Sequence, residues 1–148
     1  MSRAEPQLYQ KELPRGQPRY AQLMLTEMTG VLIVSRDWQS RALLRAELIE
    51  QGCTVQAYES VRDARVALAA RDFKPCLLVA DLSEAAGPDE PGEVDQLAEV
   101  AMRMPVWVIA SHSGALEIEL EGRGFEAIIF RPVAVGELVQ RIKRRLAA

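Results

Sequence analysis

Four groups of residues directly follow apolar runs in the sequence, and these are the positions at which chemistry could be done. They are Ser35-Arg36-Asp37, Asp81, Ala110-Ser111 and Arg131-Pro132. A carboxylate at the end of a buried strand has a rigid base and faces solvent, which suits a nucleophile or a ligand for a metal ion. For Asp81 alone, a helix cap or a loop turn would explain the residue equally well. The functional interpretation therefore depends on whether the fold brings the four groups together.

The apolar runs and the segments between them predict alternating strands and helices. Five runs rich in β-branched residues are typical of buried parallel strands, at 31–34, 54–57, 77–80, 106–109 and 127–130. Three intervening segments have apolar residues on one helix face: Ala42, Ala46 and Ile49, then Val61, Ala64 and Leu68, then Val135, Leu138, Ile142 and Leu146. Ser60 and Asp63 form a capping-box start for the second of these helices.

This alternation predicts an α/β fold with a doubly wound, five-stranded parallel sheet and helices on both faces. In such folds the site lies beyond the carboxyl ends of the strands. The four groups of residues should therefore converge in space.

Composition limits the classes of function. The chain has 148 residues and a formal net charge of -3, which indicates neither a nucleic-acid binder nor an electrostatic membrane anchor. Its two cysteines, Cys53 and Cys76, lie in apolar surroundings without a CxxC motif, so a disulfide scaffold and a Cys/His zinc site are excluded. We expect both to pack as small apolar residues.

The first 29 residues differ from the rest. Pro6, Pro14, Gly16 and Pro18 interrupt any helix, so we expect a flexible arm over 1–29 with a short helix at 21–28, followed by one domain over 30–148. The sequence contains no apolar run long enough to span a membrane and no signal-peptide pattern, which predicts a cytoplasmic protein.

An enzymatic role is not indicated. No GxGxxG or GxxxxGK[ST] motif follows the first predicted strand, where a phosphate-binding loop would lie. His112 is the only histidine, and a lone loop histidine is more often a solvated residue than a catalyst. We therefore assign no catalytic residue, and an unrelated small α/β enzyme or nucleotide binder remains the weakest interpretation.

Four sequence segments occur in a familiar order: VLIVSRD at 31–37, CLLVADLS at 76–83, MPVWVIAS at 104–111 and GFEAIIFRPVAVGELVQRIKRRL at 124–146. Together, the residues from Gly30 to Leu146 resemble the receiver domain of bacterial two-component response regulators. The resemblance implies a flavodoxin-like sheet with strand order 2-1-3-4-5. It also implies that Asp81 occupies the phosphoacceptor position.

The resemblance further implies a Mg²⁺ held by the phosphoacceptor, an acidic pair after the first strand and the carbonyl of Ser83. The acidic pair aligns with Ser35 and Arg36, which leaves Asp37 one place too late. The family's hydroxyl residue aligns with Ala110, or with Ser111 if the register slips by one, and its Lys-Pro pair aligns with Arg131-Pro132.

These departures predict a crippled metal site, because Mg²⁺ requires hard oxygen ligands in tight octahedral geometry. Arg36 projects from the place where the metal ligands would lie, so we expect it to pair with Asp81. Arg131 is a second cation, but we expect its planar guanidinium not to reach the point that a lysine ammonium would occupy. If metal binding is retained, its ligands would be Asp37, Asp81 and the Ser83 carbonyl.

The sequence thus predicts a pseudo-receiver, a signal-transduction protein that works through protein contacts and needs no cofactor. The alternative is a response regulator that binds Mg²⁺ and accepts a phosphoryl group on Asp81 from a histidine kinase. Expected partners are signalling proteins, with a histidine kinase, other domains and a second copy of the chain as candidates, and neither nucleic acid nor a membrane. No effector domain follows the last predicted helix, so we expect output by docking.

The segment from Leu116 to Glu121 alternates with a period of two, as in a half-buried strand, although the family has its fourth helix there. If the segment is a helix, Ile118 either projects outward or is packed inside as part of a short irregular helix. The face formed by the fourth helix, fifth strand and fifth helix commonly meets partners in receivers. We therefore expect an interaction face that includes Ile118 and Phe130.

Overall fold

A computed structural model describes residues 30–70, 73–83, 92–112 and 114–148. The predicted arm and the predicted helix at 21–28 fall on residues 1–29, which lie outside the described residues. The strands are β1 (Gly30–Ser35), β2 (Thr54–Tyr58), β3 (Leu77–Asp81), β4 (Val106–Ala110) and β5 (Ala127–Phe130). The helices are α1 (Trp38–Glu50), α2 (Val61–Ala69), α3 (Glu93–Ala101), α4 (Gly114–Leu120) and α5 (Val135–Ala147).

The strands form one parallel sheet in the order β2-β1-β3-β4-β5. This confirms the predicted doubly wound α/β fold, its strand order and the positions of all five strands to within one residue at either end.

Side chains that alternate along the strands divide the core into two apolar layers. One layer packs Leu32, Leu78 and Val108 against residues of α2, α3 and α4. The other packs Ile33, Val79, Trp107 and Ile109 against α1 and α5. Because each strand supplies residues to both layers, the sheet is covered on both faces, as a parallel sheet requires.

Two of the three predicted helix faces are confirmed. Val61 and Ala64 of α2 are buried, and Ser60 caps this helix by accepting a hydrogen bond from the Asp63 amide at 3.1 Å. Leu138 and Ile142 of α5 are buried as predicted.

The predicted face of α1 is wrong. Leu44 and Leu48 are its buried residues, whereas Ala42 and Ala46 are exposed and Ile49 is largely exposed. Two leucines four residues apart remove more apolar surface from water than a face built mostly on alanine methyl groups, so the helix turns them inward.

The strand-like alternation at 116–121 does not form a strand. Gly114–Leu120 is a helix in which Leu120 is buried and Ile118 is 74% exposed. Of the two helical possibilities for Ile118, the outward one is confirmed.

The two tryptophans have opposite surroundings. Trp107 is 5% exposed in the layer under α5, where Arg141 lies over its ring at 5.9 Å, whereas Trp38 at the start of α1 is 65% exposed.

The Trp107 indole donates to Glu126 at 3.0 Å, and Arg145 donates to both oxygens of the same carboxylate. The hydrogen bond from Arg145 lowers the pKa of Glu126 below its ordinary value.

Cys53 and Cys76 are free and partly buried, and burial raises the pKa of both thiols. Within the described ranges, no helix is long and apolar enough to cross a membrane.

Candidate functional site

The residues that end the strands meet at one edge of the sheet, as predicted. In the ladder Ser35 lies beside Asp81, Asp81 lies beside Ile109, and Ala110 lies beside Phe130. The strands β1, β3, β4 and β5 end at or next to these residues, so the side chains just beyond the strands approach one another. Residues up to 50 positions apart in the sequence thus form one small polar cluster.

The Asp81 carboxylate is the centre of this cluster, and both of its oxygens accept hydrogen bonds. Arg131 Nη2 donates to Oδ2 at 2.6 Å. The amide nitrogen of Ser83 donates to Oδ1 at 2.9 Å, and the Ser83 hydroxyl donates to the same oxygen. The Asp81 side chain is 10% exposed and the Arg131 side chain 36% exposed, so the ion pair is largely withdrawn from water on the acidic side.

Ser83 and Ser111 join the ends of three strands. Arg131 Nε donates to the Ser83 hydroxyl at 2.9 Å, and the Ser111 hydroxyl donates to the Ser83 carbonyl at 3.1 Å. Ala110 is completely buried at the end of β4, so Ser111 is the residue of this pair whose hydroxyl reaches the cluster. Sequence reasoning used only the carbonyl of Ser83 and missed its hydroxyl. The spacing Asp-x-Ser is the available signal, since an Asp side chain often accepts from the amide two residues on.

Asp81 pairs with Arg131, and the predicted pairing of Asp81 with Arg36 is therefore wrong. Arg36 Nη1 lies 3.5 Å from Oε1 of Glu93, the buried first residue of α3. Arg131 is held beside the end of β4 by its own amide, which donates to the Ala110 carbonyl at 2.9 Å. From there its side chain extends past β4 to the end of β3. Neighbouring strands are about 4.8 Å apart, so β3 lies two such spacings from β5. The guanidinium of Arg131 thus provides the cation beside Asp81, whereas the expectation that it does not reach the point of a lysine ammonium stays a prediction.

Ser35, which aligns with the first residue of the receiver acidic pair, and Asp37, which lies one place beyond that pair, both face other partners. Ser35 is buried, and its hydroxyl points to the Asp37 carbonyl at 3.4 Å. Asp37 is the N-cap of α1: its Oδ2 accepts from the Ser40 amide at 3.0 Å and from the Ser40 hydroxyl. These bonds hold the pKa of Asp37 below its ordinary value. Pro132 follows Arg131 through a cis peptide bond and is exposed.

These residues do not fit a Mg²⁺ ion. The octahedral ion needs several oxygen ligands at close to 2 Å. Oδ2 of Asp81 is bonded to a cation, Asp37 is directed to the start of α1, and Ser35 and Arg36 offer no carboxylate. In the described part of the chain, no three acidic, histidine or cysteine side chains cluster in a way that could hold a metal ion.

The predicted interaction face lies at the neighbouring edge of the sheet. The His112 ring stacks on Phe130 with centroids 4.3 Å apart and planes inclined by 15°, and His112 Nδ1 lies 2.9 Å from a carboxylate oxygen of Glu117. Phe130 is thus partly covered, whereas Ile118 on α4 projects into solvent.

Comparison with solved structures supports the architecture. The chain is similar to a CheY-like response regulator receiver domain from Methanospirillum hungatei JF-1, with 20% identity, a TM-score of 0.66, and 80% of this chain and 94% of that chain covered. It is also similar to the receiver domain of a Luxo repressor protein from Vibrio parahaemolyticus, with 22% identity, a TM-score of 0.62, and coverage of 80% and 90%.

A third similar structure is HP1043, an orphan response regulator of H. pylori, with 17% identity, a TM-score of 0.65, and coverage of 81% and 98%. No family model and no curated protein matches the chain. At these identities the likeness concerns the backbone and not the site. The chain therefore has the fold of response regulator receiver domains.

Proposed function

We propose that this protein is a signal-transduction module of the receiver type whose Asp81 site is held by internal contacts, and that it acts by docking to signalling proteins. The receiver fold supports the general assignment. The Arg131–Asp81 contact, at 2.6 Å, is the single observation that carries the specific one.

Two features of the site act against phosphorylation, the contact with Arg131 and the poor set of metal ligands. A carboxylate oxygen that accepts a charge-assisted hydrogen bond is a poorer nucleophile, because its electron density is already shared with the guanidinium. The incoming phosphoryl group is also deprived of the metal ion that would neutralise its developing charge. Arg131 balances the charge of Asp81 but neither makes the carboxylate a better nucleophile nor replaces the metal ion.

The first test is mass spectrometry of the intact chain after incubation with acetyl phosphate and Mg²⁺, with Asp81→Ala as the control. We expect no mass increase in either protein. A gain of one phosphoryl group in the native chain that is lost in Asp81→Ala would overturn the proposal and favour the phosphorylated alternative.

A matched variant tests the second half of the proposal, that the site lacks ligands for a divalent metal ion. Ser35→Asp together with Arg36→Asp restores the acidic pair, and Arg131→Lys restores the family's lysine. We expect this triple variant to bind Mn²⁺, seen as paramagnetic broadening of the amide resonances around Asp81. The native chain should show no such broadening at about 1 mM Mn²⁺, because it lacks the oxygen ligands.

Docking is proposed to use the face that contains Ile118. An isoleucine that is 74% exposed on a short helix leaves apolar surface in water that a partner could cover. Phe130 lies beside this face under His112, so the aromatic pair would border the contact. A histidine kinase, another signalling domain and a second copy of the chain remain the candidate occupants.

A further inference from the structure

A pocket of about 130 Å³ opens beneath the Asp81–Arg131 contact, between α1 and the segment that follows β5. Its inner wall is apolar and is formed by Ile33, Leu44, Val79, Ile109, Val135 and Leu138. Its polar lining residues are Ser35, Ser40, Arg41, Asp81 and Arg131. The pocket thus combines an apolar lining with two cations and one carboxylate, and that carboxylate is already paired with Arg131.

The two cations differ in how their charge is balanced. Arg131 is paired with Asp81. Arg41 Nη1 donates to the Ser35 carbonyl at 2.6 Å, which is a neutral acceptor. In the ranges that the structure describes, no carboxylate lies within ion-pair distance of Arg41, and Asp37, whose carboxylate is bonded to Ser40, meets its charge only at longer range.

This environment favours an anion at Arg41. The residue is only partly exposed, and a cation withdrawn from water is stabilised most by a directly bonded counter-ion. A guanidinium carries five N–H donors, and one bond to a carbonyl leaves most of them available for a carboxylate. An anion here would meet the donors at the rim while the rest of the molecule contacted the apolar wall.

We propose that this pocket binds a small organic carboxylate with an apolar body about the size of a phenyl ring. An apolar cavity of about 150 Å³ is known to accept benzene, so a volume of 130 Å³ suits a single ring that projects partly from the mouth. The carboxylate would bond to Arg41, and the ring would lie on Ile33, Val79 and Leu44. This inference does not depend on the proposed function, because it holds whether or not Asp81 accepts a phosphoryl group.

The ligand class is tested by titrating the isotopically labelled full chain and following the backbone amide resonances by NMR. Benzoate is the probe. Acetate has the charge without the ring, and benzylamine has the ring with the opposite charge. We expect saturable shifts with benzoate at millimolar concentrations for amides around Ser35, Ser40 and Val133, at least about tenfold weaker binding of acetate, and no saturation with benzylamine.

Variants on α1 test the role of the cation. Arg41→Gln should weaken benzoate binding by about tenfold or more, the effect of losing one charge-assisted contact. Arg45→Gln is the matched control, since Arg45 is exposed on the next turn of the same helix and does not line the pocket, and it should bind benzoate like the native chain. Arg41→Lys keeps the charge and should retain most of the affinity, which separates loss of binding from loss of the fold.

Three results would overturn the proposal. The first is no saturation of the native chain by benzoate up to about 20 mM, roughly tenfold above the expected millimolar dissociation constant. The second is equal binding of acetate and benzoate, and the third is equal affinity of the Arg41→Gln and Arg45→Gln variants for benzoate.

Discussion

Replacing Asp81 by Asn keeps the shape of the side chain but removes the charge that Arg131 contacts at 2.6 Å. The Oδ1 position can still accept from the Ser83 amide, so the variant isolates the other half of the carboxylate. At the Oδ2 position, the NH₂ group of the asparagine would face the Arg131 guanidinium, and two hydrogen-bond donors would meet without an acceptor. We expect the Asp81→Asn variant to be less stable than the native chain.

The magnitude follows from burial. A hydrogen bond to a charged group contributes about 1.5–3 kcal/mol, and breaking a fully buried pair costs about 3–5 kcal/mol. Asp81 is 10% exposed, but solvent reaches the 36% of Arg131 that is exposed and screens the pair. We therefore expect a loss of about 1–2 kcal/mol in the free energy of unfolding for Asp81→Asn, below the range for a fully buried pair and near the lower end of the range for a charged hydrogen bond.

Urea unfolding at pH 7 measures this loss, and a double-mutant cycle with Arg131→Gln assigns it to the pair. The coupling energy between the two positions should be about 1 kcal/mol, within the range for residues in direct contact. Glu99→Gln is a control, because its ion pair with Arg65 at 3.1 Å is exposed and should contribute less than about 0.5 kcal/mol.

A stabilising effect of Asp81→Asn would refute the reasoning. Carboxylates that share one site repel one another, so removing one charge from an acidic cluster relieves repulsion. Gain of stability would mean that Asp81 faces other acids in solution and not Arg131.

Three further outcomes are expected. Glu126→Gln should destabilise the chain at neutral pH, because Arg145 lowers the pKa of Glu126 in the folded state. The stability that this ion pair adds is present above the unfolded pKa of about 4.5 and disappears as the pH falls through the folded pKa. Urea unfolding curves of the variant and the native chain should therefore converge in acid. Leu48→Ala should cost about 2–4 kcal/mol in urea unfolding and Ala46→Ser less than about 0.5 kcal/mol, whereas equal losses would contradict the orientation of α1. Ile118→Lys should leave thermal stability nearly unchanged but abolish self-association measured by light scattering, or capture of a signalling partner; if both contacts persist, α4 is not the docking face.

The fold could be predicted because its signals are local and repeated. Each buried strand is a short β-branched run, and a parallel arrangement follows from the helices between them. The face of α1 was the exception. Ala42, Ala46 and Ile49 have acceptable helical spacing, but spacing does not weigh side-chain size, and Leu44 and Leu48 bury more apolar area. The alternation at 116–121 misled for a related reason, since a helix of seven residues is too short for its period to be distinct.

The site was predicted in its location but not in its connections. Strand ends fix which residues converge, and Asp81, Ser111 and Arg131 do converge. Which cation reaches the carboxylate depends on where each side chain is anchored, and Arg131 is anchored through its backbone to Ala110 at the end of β4. Arg41 had no sequence signal, because its bond to the Ser35 carbonyl depends on how α1 rests on the sheet.

Because the two tryptophans have opposite surroundings, the intrinsic fluorescence of the chain should contain two distinguishable components. Trp38, 65% exposed next to the capping residue of α1, should emit at long wavelength and be quenched readily by acrylamide. Trp107, 5% exposed beneath α5, should emit further to the blue and resist the quencher until the sheet opens. Protection of the red component alone would signify an occupant beside the start of α1, whereas a shift of the blue component would signify unfolding. One fluorescence titration can therefore separate binding at this edge of the sheet from denaturation.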